Sequence, residues 1–259
     1  MRLYLLFASL VLFSFGASAA SQSQSFSPDV REQKAAVPAS NADPRSPEAR
    51  ADIFMARKMY REAAETYLQA KPQTHITLNK VGIAYHQMGD LDTAKKYYDR
   101  SIKASPQYPE AVNNLGTIYY AKKSYRRAIS SYKKAIKLSP DSASMYSNLG
   151  TAYFARRDYK EATECYEKAL SLDPEVFEHR GTQGVLLQER SVTERAKFHY
   201  YLAKTYAKAG RADLALLYIR KSLEEGFKER QKYMEDGEFV EIRKIPEFAE
   251  LMKLEPRVL

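Results

Sequence analysis

PEAVNNLGTIYYAKKSYRRAISSYKKAIKLSPDS, residues 109–142, decides the fold, because the next 34 residues, ASMYSNLGTAYFARRDYKEATECYEKALSLDPEV (143–176), repeat its skeleton. Gly116 recurs as Gly150 and, one unit earlier, as Gly82. Tyr119 recurs as Tyr85 and Tyr153, Ala128 as Ala94 and Ala162, Tyr132 as Tyr98 and Tyr166, and Pro140 as Pro106 and Pro174. A fixed period of this length means stacked supersecondary units, each contacting only its neighbours.

Each unit reads as two antiparallel helices. Leu115, Gly116 and Tyr119 share one face of the first, and Ala128, Tyr132 and Ala135 share one face of the second. Gly116 and Ala128 are small where the helices approach closely, while Tyr119 and Tyr132 are expected to fill the space between neighbouring units. Pro140 ends the second helix because proline cannot continue its hydrogen-bond ladder. All these positions are packing positions and none is assigned to chemistry.

The Leu-Gly-x-x-Tyr signature of residues 115–119 and 149–153, with Val81-Gly82-x-x-Tyr85 in a third unit, resembles the tetratricopeptide repeat (TPR) family. Units 75–108, 109–142 and 143–176 carry the pattern closely. A more divergent unit spans 44–74, with Ala51 in the glycine position and the closing proline shifted to Pro72, and another spans 196–229. The resemblance implies an all-α chain, a TPR α-solenoid wound as a right-handed superhelix of antiparallel helix pairs over residues 46–229. It is specific for fold and nearly silent on function.

The ends read differently. Arg2, the apolar run from Leu3 to Phe15 and Ala17-Ser18-Ala19 have the layout of a secretory signal peptide over 1–20, shorter than the roughly 20 apolar residues a membrane helix needs. Cleavage is expected after Ala19 or Ala20, giving an exported, periplasmic or secreted protein. The alternative is an uncleaved anchor and membrane contact through it. Residues 21–45, rich in Ser, Gln, Ala and Pro, read as a disordered spacer, with the first helix starting at Ser46-Pro47. An insertion occupies 177–195. Pro174 is expected to open a short helix that Gly181 stops, and Ser191-Val192-Thr193-Glu194 forms a capping box for the next helix. The insertion either packs Leu186 and Leu187 on the solenoid edge or binds something. Residues 230–259 read as a capping extension in which Phe239, Ile242, Phe248 and Leu251 cover the open end of the stack.

The chain carries net charge +9, or +8 without residues 1–20, which contain one Arg and no acid. The excess concentrates in unit 109–142 as Lys122, Lys123, Arg126, Arg127, Lys133, Lys134 and Lys137. Such a patch is either a solvated outer face or a surface for anionic lipid or polymer, and export argues against nucleic acid. The single cysteine, Cys165, makes no internal disulfide and reads as a mostly inert thiol. The four histidines have no metal-ligand spacing, and no phosphate loop or nucleophile motif is present, so the chain reads as non-enzymatic, without metal or cofactor.

The resemblance also implies where a partner binds. The first helices of successive units line a concave groove whose wall is expected to include Asn79, Ile83 and His86, then Asn113, Asn114, Thr117 and Tyr120, then Ser147, Asn148, Thr151 and Phe154. Tyr200, Tyr201, Lys204 and Lys208 are expected to follow from unit 196–229. Asparagine offers both donor and acceptor, so a ladder of them suits the backbone of an extended peptide. An alternative role for these asparagines is bonding within the protein. Some family members clamp a chaperone tail with Lys and Asn residues. Here Asn79, Ile83 and Ser144 stand at three of those positions and only Asn114 fits. The expected function is an envelope scaffold or assembly factor that binds a protein or peptide segment. The other reading is an adaptor whose basic face of 109–142 binds anionic surfaces.

Overall fold

The computed structural model describes residues 46–178 and 191–255, so residues 1–20 and 21–45, and most of the insertion with Gly181, Leu186 and Leu187, lie outside the described residues. Among the described residues there are helices and turns but no strand. The helices in order are α1 (Pro47–Ala56), α2 (Tyr60–Gln69), α3 (His75–Gln87), α4 (Leu91–Ala104), α5 (Pro109–Ala121), α6 (Tyr125–Leu138), α7 (Ala143–Arg156) and α8 (Tyr159–Leu172). After the insertion come α9 (Val192–Lys208), α10 (Ala212–Glu224), the short α11 (Lys232–Glu235), two 3₁₀ turns (Gly237–Phe239 and Ile242–Lys244) and α12 (Pro246–Leu251).

Local chemistry sets the starts. Ser46 accepts from Ala49 N at 3.1 Å with Pro47 at the first helical position of α1. Thr74 caps α3 through Thr77 N (3.1 Å) and Asp90 caps α4 through Thr93 N (3.0 Å). Ser191 and Glu194 form the reciprocal capping box of α9. Ahead of it, Pro174 to Glu178 form turns, with Glu175 N bonded to Asp173 Oδ1 at 2.9 Å.

The repeat glycines face a tyrosine ring of the same unit. A Cβ on Gly116 would lie 2.7 Å from the ring of Tyr132, one on Gly82 2.6 Å from Tyr98, and one on Gly150 2.5 Å from Tyr166. Tyr132 fills the space between α5 and α6, fully buried in one cluster with Leu149 and Ala152 of the next unit, and its hydroxyl donates to Thr117 Oγ1 at 3.2 Å. Tyr119, half-buried and packed in the same cluster as Tyr153, does lie between units.

The unit 196–229 is internally regular. Ser222 Oγ donates to Ala196 O at 2.8 Å, as Ser101 Oγ does to His75 O at 2.7 Å in unit 75–108. Its direction, however, is reversed. Lys197, near the start of α9, lies over the ring of Tyr159 at the start of α8 (4.3 Å), and Tyr201 stacks on that ring at 4.8 Å. At the other end Lys208 pairs with Glu167 at 2.8 Å. So α9 runs parallel to α8. In the preceding units the first helix follows its predecessor through a tight turn and runs antiparallel to it, as α7 does after α6.

The extension closes α9 and α10. Phe239, Ile242, Phe248 and Leu251 are buried, together with Tyr233. Arg243 Nη1 ties the extension together by donating to the carbonyls of Tyr233 (3.1 Å) and Asp236 (3.0 Å).

Candidate functional site

Asn113, Thr117 and Tyr120 fall at i, i+4 and i+7 of α5, so they share one face. Asn114 and Asn148 flank that row. The asparagines engage each other across the units: Asn114 Nδ2 donates to Asn79 Oδ1 at 3.0 Å, and Asn148 Nδ2 donates to Asn113 Oδ1 at 3.1 Å. Asn79 is buried by this arrangement, whereas Asn113, Asn114, Asn148, Thr117 and His86 are half-buried. Each of the half-buried amides keeps hydrogen-bonding capacity beyond these contacts.

The equivalent row on α7 is closed. Ser147, Thr151 and Phe154 are buried, and Phe154 meets Phe198 and Tyr201 of α9 edge to face at 5.5 and 5.9 Å. Their expected place on an open groove wall is corrected, as is that of Asn79. Tyr120, at 9% exposure, offers only an edge. Lys204 is likewise not on the row. Its Nζ binds Asp236 Oδ2 at 2.8 Å and Glu238 Oε2 at 3.3 Å, so the extension occupies it. Tyr200 bonds the same Asp236 carboxylate and stacks on Phe227 at 4.5 Å. The reversal of α9 explains the corrections at Phe154 and Lys204, since repeat offsets give a facing only when the helix runs in the stack's direction, whereas Asn79 is buried under its bond from Asn114. Of the expected set, the structure brings Asn113, Asn114, Thr117 and Asn148 together.

The basic residues Lys122, Lys123, Arg126, Arg127, Lys133, Lys134 and Lys137 lie around the turn between α5 and α6 and along α6, and most of them are exposed. Lys122 pairs with Asp92. Lys133 lies over the Tyr153 ring at 5.5 Å, and a hydrogen bond from its ammonium to that hydroxyl raises its pKa. Burial pushes the Cys165 thiol up to about 12, which keeps it protonated and unreactive. Among the described residues no group of three or more His, Cys, Asp or Glu is placed to hold a metal ion, and no helix is long and apolar enough to cross a membrane.

Residues 82–123 and 116–156 match the family profile described as TPR repeat, and residues 143–176 match the one described as tetratricopeptide repeat. The chain is a tetratricopeptide repeat protein. Among curated proteins none matches it. Among solved structures it is similar to MamA, at 24% identity over 71% of this chain and 96% of that one, with a TM-score of 0.47. It is also similar to TTC0263, a thermophilic TPR protein of Thermus thermophilus, at 19% identity over 82% and 100% of the chains with a TM-score of 0.51. A third likeness is to the APC/C hetero-tetramer Cut9–Hcn1, at 20% identity over 80% of this chain and 35% of that one, with a TM-score of 0.51. The latter two share the TPR fold with this chain. TPR proteins are in general non-enzymatic scaffolds, and a scaffold for protein interaction is the coarse function of this one.

Proposed function

We propose that this TPR protein is an exported scaffold or assembly factor of the cell envelope, and that it holds an extended segment of a partner protein along α5. The observation that carries this reading is the cluster of Asn113, Asn114, Thr117 and Asn148. Four half-buried polar side chains of two successive first helices, two of them tied across the units by a 3.1 Å bond, keep donors and acceptors for a peptide backbone. A second reading, favoured by the exposed cations of residues 122–137, is an adaptor to anionic lipid or polymer.

A photo-crosslinking residue at Thr117, compared with one at Lys134 on α6, tests both. A protein trapped in cells at Thr117 and not at Lys134 supports the groove reading. Adducts at Lys134 alone, disappearing as salt rises, sink it in favour of the electrostatic surface. Protease accessibility of the chain in intact and osmotically opened cells tests export. Degradation only after lysis of the inner compartment overturns that part.

A further inference from the structure

Beyond the asparagine cluster, the ends of α5 and α7 and the start of α9 enclose a cleft of about 620 Å³. Two successive units contribute the same three positions to it. Tyr120 and Phe154 close the first helices, Lys123 and Arg157 stand in the turns, and Tyr125 and Tyr159 open the second helices. The units on either side differ. At the turn position they carry Gly89 and Gly210, and where the tyrosines stand they carry Leu91 and Ala212.

All four turn residues are left-handed, with φ of +80° at Gly89, +55° at Lys123, +71° at Arg157 and +73° at Gly210. Glycine adopts that conformation freely, and a lysine or arginine is held in it against the preference of its Cβ. Lys58 of the first unit shares the conformation but lies outside the cleft. Two cations therefore occupy turns for which their own backbone is poorly suited, and both line the cleft.

Lys197 of α9 supplies a third cation, with its Nζ 4.3 Å above the Tyr159 ring and 3.9 Å from Glu229. The one lining carboxylate, Glu194, is bonded to Ser191 in the capping box. Among the described residues neither Lys123 nor Arg157 has a carboxylate within ion-pairing distance. Two cations without a carboxylate partner among the described residues, in a cleft also lined by tyrosine rings, complement a ligand that brings carboxylates together with an apolar side chain.

We propose that this cleft docks an acidic segment of a partner protein, Lys123, Arg157 and Lys197 taking its carboxylates and the rings of Tyr125 and Tyr159 taking an apolar side chain between them. The proposal rests on the peptide-scaffold reading for the class of ligand. It adds the chemistry of the ligand and the place where it anchors.

The test is fluorescence anisotropy of the chain with a labelled Glu-Glu-Phe-Glu-Glu peptide and with Gln-Gln-Phe-Gln-Gln as the neutral probe. The wild type is expected to bind the acidic peptide more tightly and in a salt-sensitive way. A Lys123→Gly, Arg157→Gly variant removes both charges and suits the left-handed turns, so it folds. Its affinity for the acidic peptide is expected to fall about tenfold, the sum of two partly exposed ion pairs. No binding of the acidic peptide, equal binding of the two peptides, or unchanged binding by the glycine variant overturns the proposal. Trapping of a partner at Thr117 reports on the scaffold reading separately. If it persists while the peptide result is negative, the acidic-ligand proposal falls alone.

Discussion

Asn148 donates its side-chain amide to Asn113 at 3.1 Å, which makes the pair a strut between α7 and α5 as well as part of a candidate binding face. A double-mutant cycle with Asn113→Ala and Asn148→Ala separates the two roles. The coupling in denaturant unfolding is expected to be about 0.5–1.5 kcal/mol, the net value of one hydrogen bond with its partner left in place. Zero coupling would leave the pair without a structural role.

Gly116→Ala is expected to destabilise the chain by about 1–3 kcal/mol, because the new methyl would overlap the fully buried Tyr132 ring. On an exposed helix the same change stabilises by about 1 kcal/mol through helix propensity, so the sign is diagnostic. Gly237→Ala is the control, since a Cβ there meets nothing within 4 Å. Thermal melts of the two variants check the pair. A Gly116→Ala chain as stable as wild type contradicts the packing.

The repeat and its helix boundaries are legible from sequence because small, aromatic and proline positions report local packing, and local packing recurs with the period. Ser46, Pro47, Ser191 and Glu194 mark their helix starts because capping is decided within four residues. What the period does not carry is the direction in which a unit is laid on the stack. Phe154 and Lys204 lie beyond that limit, since one is covered by Phe198 and Tyr201 and the other held by Asp236 and Glu238. The pairing of Asn113 with Asn148 is half-legible. Their shared face follows from repeat offsets, but which amide meets which depends on a 35-residue offset fixed only by how neighbouring helices stagger.

Lys123→Gly is expected to stabilise the fold modestly, by about 0.5 kcal/mol. Releasing a side chain from φ +55° gains about 1–2 kcal/mol, and the added freedom of glycine in the unfolded chain takes back about 0.4–1 kcal/mol. Gly89→Ala, at φ +80°, is expected to destabilise by about 1 kcal/mol for the converse reason. Urea midpoints decide. A loss of stability in Lys123→Gly would mean that the lysine stem packs in a way that outweighs the strain.

Cys165 is expected to resist alkylation at pH 8. With its pKa pushed up to about 12 by burial, foremost, and by Glu164, its thiolate fraction falls about three orders of magnitude below that of a free cysteine. Iodoacetamide labelling followed by mass should be slow in buffer and fast in denaturant. Rapid labelling of the folded chain would place the thiol in a more open setting.

Asp236 couples the extension to α9 and makes that contact acid-sensitive. Desolvation favours its neutral form, but the Lys204 ammonium and the Tyr200 hydroxyl outweigh it, and the folded pKa lies below the ordinary carboxylate value of 3.8. A group depressed in the folded state stabilises it above the unfolded pKa, and that contribution is lost as pH falls through the folded pKa. Docking of residues 232–251 is therefore expected to hold from neutral pH down to about pH 4 and to loosen below that, as Asp236 protonates and its bond to Lys204 weakens, leaving Glu238 as the lysine's partner. Asp236→Asn removes the titration, so its docking should be weaker at neutral pH and nearly flat over the same acid range. Hydrogen exchange of the Phe239 and Leu251 amides in both proteins, from about pH 6 down to about pH 3 and corrected for intrinsic exchange, reads this directly. Parallel acid profiles in the two chains would assign the loosening to other carboxylates and remove Asp236 as the latch.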